Sequence, residues 1–267
     1  MPTSGEFEEF DCLVHDGMST IPATRRVAAE EPLCIYVNGQ PLAVLTRTPG
    51  FEQELCLGYL LTEGFIGSPG DVVRMEYLRE AERVEVELAA SAEGRLAKAR
   101  RTHPAPYGPG RAAGRAEKLA APIAVAAAKV SPADLQTMSR VLRSYQRLFE
   151  ATGGTHAAAL SPATPVPPDG PVIVREDVGR CNAVDKVIGA CYMQGLILTA
   201  PLLFLSGRLS LETVAKAAQV GIGAVAGIGA PTTSAVRLAR RLGIFLAGFV
   251  RRDTFTVYAG SLASPAS

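Results

Sequence analysis

Tryptophan is absent, histidine occurs three times, and the net charge is only +1 across 267 residues. A nearly neutral chain has no global attraction for nucleic acid, and none is expected as a partner. No apolar run is long enough to span a bilayer, so no membrane is expected either. The five cysteines, Cys12, Cys34, Cys56, Cys181 and Cys191, are odd in number and show no C-x-x-C spacing. That argues against both a disulfide framework and a zinc finger. With only His15, His103 and His156 to add, no metal site is expected. No G-x-S-x-G nucleophile elbow is present. Met1 to Asp16 is acidic and lacks a basic-then-apolar leader pattern, which suggests a cytoplasmic protein.

Hydrophobic residues make up 48% and charged residues 20%, an ordinary globular balance. Met1 to Glu30 shows little periodicity and reads as an exposed tail or strand. Leu33–Val37, Asn38-Gly39 and Leu42–Leu45 read as a hairpin with a type I′ turn. Thr48-Pro49 reads as a cap and first helical position for a helix over Phe51–Glu63, stopped by Gly64. Val84–Leu88 alternates like a half-exposed strand. From Ala92 to Pro122 the pattern collapses into a basic stretch rich in proline and glycine, read as a mobile loop and hinge between two lobes. The boundary is drawn at residues 1–125 and 126–267.

Ser131-Pro132-Ala133-Asp134 opens a helix whose core face comprises Leu135, Met138, Val141, Leu142, Tyr145, Leu148 and Phe149. Thr155–Leu160 and Val172–Val174 read as strands. Beyond them, strand, polar turn and helix recur, which indicates an α/β fold with a mixed or mostly parallel sheet flanked by helices. Right-handed crossovers then bring the polar turns to one sheet edge. Gly221-Ile222-Gly223 follows a helix rather than a strand and is read as a helix stop, not as a dinucleotide fingerprint.

The turns carry the candidate chemistry. Arg175 to Lys186 packs charges and amides between two apolar segments, with Asn182 as the expected helix cap. Ser206-Gly207-Arg208 before a helix suits a phosphate, because glycine admits backbone N–H groups and arginine forks two oxygens. With Arg180, Lys186 and Arg251-Arg252, this predicts a pocket for a polyanion such as a nucleotide diphosphate. His156 is placed to donate a proton or contact phosphate. Cys181, beside Arg180 at a helix start, is expected to have a lowered pKa.

The series Asn38-Gly39, Gly58-Tyr59-Leu60-Leu61-Thr62-Glu63-Gly64, Gly153-Gly154-Thr155-His156, Glu176-Asp177-Val178-Gly179-Arg180, Asn182 to Lys186, Ser206-Gly207-Arg208, Ala230-Pro231-Thr232 and Phe249-Val250-Arg251 closely resembles the FdhD family. The resemblance implies a cytidine-deaminase-like larger lobe, a smaller N-terminal lobe and a cytoplasmic homodimer. It implies a sulfurtransferase that accepts sulfur from a cysteine desulfurase. The sulfur passes to the molybdenum bis-guanine-dinucleotide cofactor for formate dehydrogenase. It further implies that Phe249, Val250, Arg251, Arg252, Asp253 and Thr254 line the cofactor's nucleotide site, with His156, Asp177, Arg180 and Arg208 as neighbours. The chain departs from the family at its C-G-x-C-G loop, where Gly110 and Ala113 replace the two thiols. Cys181 stands where the family more often has histidine, and Gly229 where it more often has serine. Two readings follow: a sulfur carrier using a relocated thiol, with Cys181 the best-placed bearer, or a non-catalytic protein that binds the cofactor.

Overall fold

The structure is a computed structural model that describes residues 5–102, 129–167 and 170–263. It contains three sheets. A two-stranded ribbon joins β1 (Phe7–His15) to β2 (Thr20–Ala28) in the segment read as having little periodicity. Four strands follow in the order β4-β3-β6-β5, from β3 (Glu31–Val37), β4 (Gln40–Arg47), β5 (Val72–Leu78) and β6 (Arg83–Leu88). The hairpin turns at Asn38 and Gly39, both at positive φ, as Asn-Gly allows.

The large sheet takes the order β12-β11-β10-β9-β7-β8. Its strands are β7 (His156–Ser161), β8 (Ile173–Asp177), β9 (Leu202–Leu205), β10 (Ala224–Gly227), β11 (Phe245–Gly248) and β12 (Thr256–Ala259). β9, β10 and β11 are parallel, β7 is antiparallel to both its neighbours, and β12 is antiparallel to β11. Consequently β8, β9, β10 and β11 all end, and β7 begins, on one edge.

Period-two alternation sorts the strand residues between two cores. Ala158, Leu160, Leu203, Leu205, Val225 and Leu246 face one side. Ala157, Ala159, Leu202, Phe204, Ala226 and Phe245 face the other. The second core is closed by α3 (Pro132–Tyr145), whose Leu135, Met138 and Leu142 are fully buried. Tyr145 and Phe149, expected in that core, are 56% and 45% exposed. Tyr145 is the last residue of α3; the helix breaks at Gln146, and the short α4 (Arg147–Thr152) carries Phe149 out of the α3 register.

On the first side lie α5 (Arg180–Met193), α6 (Leu211–Gln219) and α7 (Thr233–Leu242). Across α5 packs α1 (Glu52–Thr62), which belongs to the four-stranded half. The crossing is made at glycine. A Cβ on Gly58 would fall 1.8 Å from the Asp185 carbonyl oxygen, and one on Gly189 would fall 1.9 Å from that of Glu54.

Three local expectations are corrected. Phe51, at φ 62, precedes α1, and Thr48 instead accepts the Val178 N–H at 3.1 Å. Gly179 precedes α5, while Asn182 donates to the Thr46 carbonyl and to Asp177. Residues 90–102, partly read as loop, form the helix α2 (Ala90–Thr102). The rest of the loop expectation, with Gly110 and Ala113, lies outside the described residues. Among the described residues, no helix is long and apolar enough to cross a membrane.

Candidate functional site

The shared edge of the large sheet gathers the polar turns as the crossover rule requires. β7 and β9 pair so that His156 stands beside Gly207. A Cβ on Gly207 would sit 3.1 Å from His156 Nδ1 and 3.2 Å from Arg180 Cδ, so imidazole and arginine stem close over the glycine. The next turn stacks backbone on backbone: a Cβ on Gly229 would lie 2.3 Å from the Gly207 carbonyl oxygen. At Gly229 the turn has no room for a side chain.

Electrostatics follow from this packing. Burial lowers the pKa of His156, and the Arg180 and Arg208 charges lower it further against the pull of Asp177. The imidazole is thus held neutral among cations. Arg180 Nε is buried without a hydrogen-bond partner among the described residues. An unmatched guanidinium nitrogen is a donor in want of an acceptor.

Two cavities flank this point and share Arg143. One, of about 670 Å³, is walled by Phe149, Gly154, Thr155, His156, Ser206 and Gly207. The other, of about 590 Å³, is walled by Gln136, Arg140, Arg143, Arg251, Arg252 and Asp253. Both fall in the size range of small-molecule sites. A third cavity, of about 520 Å³ on the four-stranded sheet, carries Glu76, Glu85, Glu87 and Glu93 against Arg74, so its charge repels a polyanion.

The expected site residues therefore divide. His156, Arg180 and the exposed Arg208 come together at the sheet edge. Arg251, Arg252 and Asp253 line the second cavity. Arg251 also donates to the Ile228 and Val250 carbonyls, and the Thr254 carbonyl accepts its N–H, which closes a tight turn. Phe249, at φ 54, is 43% exposed at the end of β11.

Val250 is a correction, because its side chain is fully buried in the second core. Asp177 is another. Its carboxylate is fully buried, ion-paired with buried Lys186 at 2.7 Å, and accepts from Thr48 N, Gly179 N and Asn182. Neither Asp177 nor Lys186 is left to meet a ligand; they tie the turn to the four-stranded half. Cys181 is the third. Burial, then the Glu212 carboxylate, raises its thiol pKa rather than lowering it. Desolvation outweighs the opposing pull of the Lys216 charge.

Several participants escaped the sequence reading. Glu176 accepts Leu148 N and Phe149 N at 2.8 Å each and the Thr155 hydroxyl at 2.9 Å. It caps α4 from another strand and so holds one cavity wall. Arg140 and Arg143 lie on α3 away from its apolar stripe, a pattern that reads as ordinary solvated surface. Behind the site, Lys216 is fully buried against Asp185 at 2.9 Å, Glu63 at 2.8 Å and Thr62 at 3.0 Å. Burial works to lower the Lys216 pKa, but the two carboxylates hold it well above the ordinary value.

Residues 28–263 match the family model described as the FdhD/NarQ family. The chain belongs to the FdhD/NarQ family. The sulfur carrier protein FdhD of Mycolicibacterium paratuberculosis is 40% identical over 87% of this chain and 89% of its own length. That of Sulfolobus acidocaldarius is also 40% identical, over 87% and 88%. Among solved structures, a Desulfotalea psychrophila protein assigned as a formate dehydrogenase accessory protein superposes with a TM-score of 0.77. It covers 95% of this chain and 97% of that one at 21% identity, which shows a shared fold. The sequence has no cysteine between Cys56 and Cys181.

Proposed function

We propose that this chain is a sulfur carrier in the maturation of formate dehydrogenase. Its cargo is the molybdenum bis-guanine-dinucleotide cofactor, held in the cationic cleft. The observation that carries the reading is the meeting of His156, Arg180 and Arg208 over Gly207, with the buried Arg180 Nε unmatched. Gly207 and His156 line the larger cavity, and the two guanidinium groups beside them supply donors for phosphate oxygens. Arg140, Arg143, Arg251 and Arg252 extend the positive surface into the second cavity. A cysteine desulfurase supplies sulfur, formate dehydrogenase receives the product, and two copies of the chain assemble in the cytoplasm.

In this reading Cys181 bears the sulfur. Its thiol passes a proton to Glu212, the carboxylate hydrogen-bonded to it. The resulting thiolate attacks the outer sulfur of the desulfurase persulfide. A new S–S bond forms on Cys181 as the desulfurase cysteine leaves as thiolate and takes up a proton. A second reading, a cofactor-binding protein that carries no sulfur, is favoured by the raised pKa of Cys181 and by the missing loop thiols.

Titration with GDP tests the pocket. Arg180→Ala and Arg208→Ala are each expected to weaken binding about 10-fold, the scale of a lost charged hydrogen bond. No binding at millimolar GDP would overturn both readings. A variant with all five cysteines changed to alanine separates them in cells lacking their own factor. Loss of formate dehydrogenase activity supports the sulfur carrier, and retained activity leaves only the binding role.

A further inference from the structure

The ribbon β1–β2 lies ahead of residues 28–263, the part that matches the family model, so family membership assigns it no role. From Glu8 to Val27 every residue is exposed except half-covered Cys12, Val14 and Ala23. Directly paired residues of an antiparallel ribbon share a face. The register therefore sorts the side chains into two unlike faces. One face carries Arg26–Glu9 at 3.1 Å, Thr24–Asp11 at 2.9 Å and His15–Thr20 at 3.0 Å. The other carries Phe10, Cys12, Val14, Ile21, Ala23 and Val27, with Phe10 50% and Ile21 54% exposed.

We propose that this apolar face packs on the same face of a second copy of the chain across a two-fold axis. The proposal names the surface of the two-copy assembly given above and rests on that reading. A two-stranded ribbon alone in water is marginal, so its apolar face needs cover. The face is self-complementary. In the antiparallel stack that centres on the Asp11–Thr24 pair, bulky Phe10 of each copy lies over small Cys12 and Ala23 of the other. The rim adds one acid, Glu8, and one base, Arg25, so the face has no net charge to select an acidic or basic stranger.

A ribbon of this length offers a face of about 30 by 10 Å, so ribbon on ribbon covers roughly 600 Å², a little over a third of a usual interface, and surface beyond the ribbon has to join it. The antiparallel stack sets the tip of each ribbon at the root of the other. The tip is Met18, 96% exposed. The root lies beside α4 and Gly154, where Ala28 Cβ comes within 3.2 Å of a Cβ built on that glycine. Ala28 shares the polar face with Phe7, so α4 backs the root from the side opposite the proposed contact.

Light scattering on the full chain during size exclusion provides the test. The wild type is expected at twice the chain mass. The double variant Phe10→Glu, Ile21→Glu should run at one chain mass, with its dissociation constant raised about 100-fold or more. Leu13→Glu, on the polar face, should leave the dimer intact. A monomeric wild type overturns both the two-copy reading and this surface. A dimeric double variant, or equal loss with Leu13→Glu, overturns this surface alone. Hydrogen exchange on the wild type covers the case of a misfolded variant. Protection of β1 and β2 amides should rise with protein concentration, and protection independent of concentration sinks the proposal.

Discussion

Two clusters of charge lie near each other and behave in opposite ways. At the sheet edge, His156, Arg180 and Arg208 form an excess of positive charge that is partly open, with Arg180 Nε unmatched. Behind it, Lys216, Asp185, Glu63 and Thr62 are sealed from water and bonded to one another. The residue types are similar, but the balance differs. In the sealed cluster a cation and its carboxylates offset the cost of burial among themselves. In the open cluster the missing counter-charge is what a ligand would bring. Placement rather than composition separates a structural ion network from a binding site, and even one motif divides this way: Glu176 and Asp177 build the turn, and Arg180 lays its stem on Gly207 beside His156.

The sharpest way to break the comparison is Lys216→Met. It strands two buried carboxylates and is expected to cost about 3–5 kcal/mol in urea unfolding. GDP affinity of the fraction still folded should be unchanged. The cleft variants Arg180→Ala and Arg208→Ala should show the reverse, weaker binding with an unfolding midpoint close to wild type.

Gly207→Ala is milder. Its methyl would press His156 and Arg180 apart by a few tenths of an ångström. A few-fold loss of GDP affinity is expected in calorimetry, with little change in melting temperature.

The smallest effect concerns pH. His156 has a pKa lowered from 6.5, so it is neutral at pH 7. An anion bound beside it favours the charged form, so binding takes up a proton. GDP affinity should therefore rise modestly from pH 8 to pH 6, and His156→Asn should flatten that slope. For folding the sign is opposite. The contribution of a depressed histidine is present above 6.5 and fades below it, as the unfolded chain takes the proton first.

Much of this was legible in the sequence. The Asn-Gly turn, the Ser131 capping box and the recurring strand-turn-helix units depend on local chemistry, and the structure shows them where expected. The gathering of turns on one edge follows from the common direction of β8 to β11. What failed needed long-range facts. Asp177 and Lys186 look like exposed turn charges until Thr48, 129 residues away, is seen to close over the carboxylate. Cys181 looks activated by Arg180 and the helix start until burial and Glu212 are counted. Tyr145 and Phe149 keep the helical period of a core face, but Tyr145 ends α3 and the break at Gln146 carries Phe149 out of register. In the sequence the ribbon reads only as an exposed tail or strand, because Leu13 interrupts its alternation of apolar and polar residues.

The crossing of α1 and α5 at Gly58 and Gly189 has a mechanical meaning. Helices that touch through bare backbone have no side chains to slip past one another, so they cannot act as a bearing. The halves of the molecule must turn together as a single block. Any opening that admits a large guest has to come from shorter pieces at the rim, such as the turn from Arg251 to Thr254.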